Sequence, residues 1–164
     1  MRYTLKHKLF SLGHDSMIKD ANGHDVYLVD GAAIAIGRHI KIKDLHGQAL
    51  ASIHQDLIAL TPSYEIKMKD GLSAKASMKL LSLTDRLKID VPGPDDFEAR
   101  GNLFHREYAI VRGSHEVAHI SKRWVSLTDS YGIEIDDDQD QVFFLACAVV
   151  IDEILEMKEH GENE

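Results

Sequence analysis

Apolar and polar residues alternate along much of this chain, and the alternating runs end in turn signals. Ile40 and Ile42 share one face of an extended segment while Lys41 and Lys43 share the other; Ile66 and Met68 oppose Glu65, Lys67 and Lys69. A period of two marks a strand with one buried and one solvated face. Asp20-Ala21-Asn22-Gly23, Asp44-Leu45-His46-Gly47, Asp70-Gly71 and Arg112-Gly113-Ser114 punctuate these runs. Glycine supplies the positive φ that a tight turn needs, and Asp and Asn bond their own backbone there. Strand pairs repeated at this spacing point to a barrel or sandwich rather than to alternating strands and helices. Val91-Pro92-Gly93-Pro94-Asp95-Asp96 holds two of the three prolines and reads as a connection between two halves of the strand region.

The alternation stops at Val142-Phe143-Phe144-Leu145-Ala146-Cys147-Ala148-Val149-Val150-Ile151, which is apolar throughout. A helix apolar on every side must be buried on every side. The simplest container that many short strands provide is a closed barrel, so the expected fold is mainly β, a barrel around one helix. Asp136-Asp137-Asp138-Gln139-Asp140 precedes the run. Carboxylates there accept bonds from free N–H groups and oppose the positive end of the helix dipole, placing the start near Asp138 or Asp140. The pattern predicts a helix over about 141–157 and a frayed tail over 158–164. Asp152 and Glu153 would sit where the helix leaves the barrel, and a charge buried there needs a partner.

A chain of 164 residues is expected to form one domain and to bury about 70% of its unfolded surface. A single cysteine excludes an intramolecular disulfide framework and points to a reducing compartment. Residues 1–10 lack the apolar core of a secretory signal, and the apolar run is shorter than the roughly 20 residues a transmembrane helix needs. The expected location is cytoplasmic, with no transmembrane segment. The net charge of −8 is uneven: residues 1–82 hold 11 Lys/Arg against 8 Asp/Glu, and residues 83–164 hold 8 against 19. The acidic half would repel phosphates at long range, which argues against nucleic acid as a partner. A local basic patch in the first half stays compatible with that balance.

The order of segments resembles the LURP-one-related family. The most specific part is Trp124-Val125-Ser126-Leu127-Thr128-Asp129-Ser130-Tyr131-Gly132-Ile133-Glu134-Ile135 followed by the acidic run and the apolar helix. Leu9-Phe10-Ser11-Leu12, Ile18-Lys19-Asp20 with Gly23 and Val26-Tyr27, Gly101-Asn102-Leu103-Phe104 and Val117-Ala118-His119-Ile120-Ser121-Lys122 are similar to its bacterial members. The resemblance spans nearly the whole chain. It implies a tubby C-terminal-like fold, a closed twelve-stranded antiparallel barrel enclosing a hydrophobic C-terminal helix. It implies little about activity: plant relatives are associated with defence, tubby domains bind phosphoinositides, and phospholipid scramblases are linked to lipids and calcium. No tubby headgroup residue is carried over to a position of this chain.

His115-Glu116-Val117-Ala118-His119 matches the letters of the H-E-x-x-H zinc motif. Both histidines can ligate one metal only on a helix, where residues four apart share a face. Here a turn precedes a strand-like segment, and histidines at this spacing on a strand stand roughly 13 Å apart. The extended H-x-x-G-x-x-H is also missing. The acidic run is no EF-hand loop, because Gln141 and Cys147 stand where Gly and Glu are required. Capping and solvation are its ordinary role, with weak calcium binding of another kind left open. Cys147, amid the apolar run, is expected to be buried and inert. No cofactor is implied.

The remaining candidate is a basic face comprising Arg38, Lys41, Lys43, Lys67, Lys69, Lys75 and Lys79. If their strands adjoin, these side chains form a patch able to meet phosphates or an anionic surface. The ordinary explanation is that lysines keep strand faces soluble and block edge pairing. The expected function is a non-catalytic binding module for anionic ligands, with phospholipid headgroups as the candidate class. A protein-interaction scaffold is the alternative, and a zinc hydrolase on His115, Glu116 and His119 ranks last.

Overall fold

A computed structural model describes residues 1–6, 15–33, 37–78, 86–126 and 129–161. Twelve strands follow in order: β1 Arg2–Lys6, β2 Ser16–Asp20, β3 Asp25–Ala33, β4 Arg38–Lys43, β5 Ala49–Gln55, β6 Ser63–Met68, β7 Ser73–Met78, β8 Arg86–Asp90, β9 Phe97–Asn102, β10 Glu107–Arg112, β11 His115–Ser121 and β12 Ser130–Ile135. A 3-10 turn spans Lys122–Trp124, and α1 spans Gln141–Gly161. Leu9 to Leu12, Lys79 and residues 162–164 lie outside the described residues.

Each strand pairs antiparallel with its sequence neighbours, and β1 pairs with β12, closing the barrel. Closure leaves no free sheet edge. The alternation read from the sequence sets the inward face: Ile40, Ile42, Ile53, Ile66, Leu87, Ile89, Ile110 and Ile133 are fully buried. α1 fills the interior, with Phe143 through Ile151, Ile154 and Leu155 all buried. Small residues on both sides, Ala51, Ala74, Ala76 and Ala99 on the wall against Ala146, Cys147 and Ala148 on the helix, leave room for it. Phe97 meets Phe144 edge-on, with ring centroids 5.0 Å apart. The Asp140 carboxylate accepts from the Phe143 N–H at 3.0 Å and caps the helix as its composition predicts.

Because neighbouring strands run antiparallel in chain order, connections alternate between the two barrel ends. Those after β2, β4, β6, β8 and β10 share one end with the amino end of α1. Gly23, Gly47, Gly71, Gly93 and Gly113 provide left-handed backbone there. Those after β5 and β9 lie at the other end, where the carboxyl half of α1 reaches the Gln55 and Tyr64 side chains through Met157.

The helix is longer than the sequence pattern predicts, and its charges stay inside. Asp152, Glu153 and Glu156 are buried, at 6%, 3% and 5% exposure. Arg106, also buried, donates from Nε and Nη2 to Asp152 Oδ1 at 3.1 and 2.7 Å, and from Nη1 to the Phe104 carbonyl at 2.9 Å. Asp152 is buried, and Arg106 is the partner that a charge there needs.

Candidate functional site

The outer wall of β3 to β8 collects most of the predicted basic residues, and strand register decides which of them meet. Lys41 on β4 stands opposite Ser52 on β5, Ser52 opposite Lys67 on β6, and Lys67 opposite Ser73 on β7. This row alternates ammonium and hydroxyl groups across four adjacent strands. The next row runs His39, His54, Glu65, Lys75 and Asp90. Strands about 4.8 Å apart put Lys41 and Lys67 roughly 10 Å from each other, with the Ser52 hydroxyl between them. Two lysine side chains at that separation can converge on one phosphate.

The neighbouring cations are more committed. Lys43 forms an ion pair with Asp30, whose carboxyl is held below the usual range chiefly by that hydrogen bond. Lys75 pairs with Asp56 at 3.0 Å, and Lys67 approaches Glu65 at 3.6 Å. These are exposed or half-exposed pairs, worth about 0–1 kcal/mol and readily exchanged for a ligand. Among the described residues, neither Lys41 nor Lys69 takes part in an ion pair. Lys69 lies just past β6, its N–H donating to the Leu50 carbonyl at 2.9 Å. The His54 and His39 rings lie against each other, tilted by 40° with centroids 4.0 Å apart. Burial, then His39 and Lys67, lower the His54 pKa.

Arg38 is not part of this wall. It has the same parity as Ile40 and Ile42, so its side chain points inward at the barrel mouth, with Nε 3.6 Å from Glu153 Oε2. Burial, partly opposed by Arg38, raises the Glu153 carboxyl to about 7. The alternation visible in the sequence carried that signal. Arg106 had no comparable signal, since its partner is 46 residues away.

Beside the row an open groove of about 750 Å³ runs across the outer wall, lined by His54, Asp56, Leu57, Ile58, Lys75 and Pro92 among others. Leu57 and Ile58 come from the β5–β6 connection, which no sequence motif singled out.

The zinc-like motif lies on a strand. His115 and His119 belong to β11; His115 approaches Asp136 at 3.3 Å and His119 approaches Glu116 at 3.0 Å. Among the described residues no cluster of three His, Cys, Asp or Glu side chains could hold a metal ion. In the acidic run Asp140 caps α1 while Asp136 accepts from the Gln139 N–H through its carbonyl. The Cys147 thiol is fully buried and its pKa is pushed up by burial. No helix among the described residues is long and apolar enough to cross a membrane.

A family model described as LURP-one-related matches residues 1–152. Over 151 residues the chain is 28% identical to a protein of Bacillus subtilis (strain 168) that carries the name "Uncharacterized protein YxjI", spanning 92% of this chain and 91% of that one.

Proposed function

The chain belongs to the LURP-one-related family, and on that footing we propose that it is a non-catalytic module that binds anionic ligands on the outer wall of β4 to β7. The family description and the relative's name carry no chemistry, so the reading rests on the wall itself. The observation that supports it most is the Lys41–Ser52–Lys67 row, which offers two cations with a hydroxyl between them; the Ser73 hydroxyl beyond Lys67 already donates to Glu65 at 3.2 Å. Phosphate monoesters and diesters, including phospholipid headgroups, have the charge and acceptor geometry that such donors satisfy. Edge protection does not account for these lysines, because the barrel is closed and has no edge there.

Amide shifts on titration with a soluble headgroup, glycerophosphoserine, test this reading. Changes centred on Lys41, Ser52 and Lys67 support it. Changes centred elsewhere, or none at saturating ligand, remove it.

A further inference from the structure

Leu57, Ile58 and Leu60, in the β5–β6 connection, are 55%, 93% and 97% exposed. Isolated apolar side chains on a surface are ordinary. Three within four residues, at the tip of one loop, make a contiguous patch. The tip is also built rather than loose. The Asp56 N–H donates to the Ser63 carbonyl at 2.9 Å, and the Ile58 N–H donates to the Asp56 carboxylate at 3.0 Å. Lys75 holds the same carboxylate from 3.0 Å, and Leu57 packs beside Gly37, so closely that a Cβ there would lie 3.4 Å from it. A tip held this way loses little freedom on docking.

Its position relative to charge narrows the occupant. The acidic run 136–140 and the aspartates of the β2–β3, β4–β5 and β6–β7 turns belong to the opposite end of the barrel. The Lys41–Ser52–Lys67 row lies on the wall directly behind the tip: Ser52 precedes Asp56 by four residues, roughly 13 Å along the strand. An interfacial headgroup layer is about 5–8 Å deep on each side of a bilayer. Lysine stems extend along such a layer and keep the ammonium in it. With the apolar tip at the acyl boundary the row lies beyond the headgroup layer, and it is the Lys41 and Lys67 stems, reaching toward the tip, that bring their ammonium groups to the depth of an anionic bilayer surface.

We propose that the Leu57-Ile58-Ala59-Leu60 tip inserts into the interface of an anionic membrane while Lys41 and Lys67 meet its headgroups. This rests on the anion-binding reading above and names a bilayer, rather than a free phosphate, as the source of the anion.

The test attaches an environment-sensitive, thiol-reactive dye at Ile58→Cys in the full chain. Cys147 is fully buried, so labelling is selective. Leu45→Cys is the control, because Leu45 is 59% exposed in a turn at the opposite end. The expected result is a blue shift at Ile58→Cys, and none at Leu45→Cys, on adding phosphatidylcholine vesicles containing phosphatidylserine. Pure phosphatidylcholine vesicles should give a weaker shift, and Leu60→Asp should weaken binding about tenfold or more. Lysine-dependent sedimentation with the anionic vesicles but no shift would overturn insertion and leave the basic row standing. Binding of glycerophosphoserine without vesicle binding would do the same. A shift that appears without lipid as protein concentration rises would assign the tip to a second copy and overturn the proposal. Binding to neither vesicles nor glycerophosphoserine would remove both readings.

Discussion

Arg106 and Asp152 stand 46 residues apart in the chain and 2.7 Å apart inside the barrel. The pair ties the β9–β10 connection to a point just past the middle of α1, and both side chains are buried. Removing one partner of such a pair strands a charge in a medium that solvates it poorly. Arg106→Met should therefore lower stability by about 3–5 kcal/mol in urea unfolding. Arg106→Met combined with Asp152→Leu should recover most of that loss, since the buried carboxylate is removed with its partner and Glu159, which Arg106 also approaches at 3.8 Å, is partly exposed. A double variant as unstable as the single one would show that the pair does not act as a unit.

Glu153 gives the fold a pH dependence opposite in sign to that of an ordinary paired carboxylate. Burial raises its carboxyl from 4.5 to about 7, so the folded chain holds the proton more tightly than the unfolded chain. Stability from this group is full below about 4.5 and is lost as pH rises through about 7. The loss amounts to about 3 kcal/mol at most. Glu153→Gln should flatten the urea midpoint between about pH 5 and pH 8, and should stabilise the protein at the upper end. A wild-type profile that rises across this range would contradict the assignment.

Val149 is 1% exposed in the middle of α1. Val149→Asp would place an unpaired carboxylate inside the barrel and should abolish soluble expression. A variant that folds with normal stability would disprove the enclosed helix.

Gly101 adopts φ +130, and a Cβ there would lie 2.8 Å from the Glu107 carbonyl oxygen and 2.9 Å from Tyr108 Cα. Gly101→Ala combines backbone strain with a clash against main chain that cannot rotate away. It should cost about 1–3 kcal/mol, read as a lower thermal midpoint. Gly47→Ala, where nothing lies within 4 Å, should cost less.

The barrel and its threaded helix were legible because burial imposes a period. Ile40 and Ile42 against Lys41 and Lys43 disclose a strand, and residues 142–151 disclose a helix surrounded on all sides. The same parity places Arg38 inward with Ile40, although its charge grouped it with the lysines. Asp152 and Glu153 signalled that charges buried on the helix need partners, but not which ones. Their partners, Arg106 and Arg38, come from distant segments that only closure brings together. Leu57-Ile58-Ala59-Leu60 was illegible for the reverse reason: a short apolar run is indistinguishable from core until its surroundings are known. Of the predicted basic residues, register brings Lys41 and Lys67 into one row with Ser52, a relation that needs the strand pairing as well as the sequence.

The central claim is that the Lys41–Ser52–Lys67 wall binds anions, and co-sedimentation with vesicles tests it most directly. Wild-type protein should sediment with phosphatidylserine-containing vesicles at low salt, less so at physiological salt, and far less with phosphatidylcholine alone. Lys41→Glu with Lys67→Glu should weaken binding more than tenfold, since each surface lysine contributes about 1 kcal/mol and reversal adds repulsion. Equal sedimentation of wild type and variant, or no sedimentation in any condition, would contradict the account and return the basic wall to simple solvation.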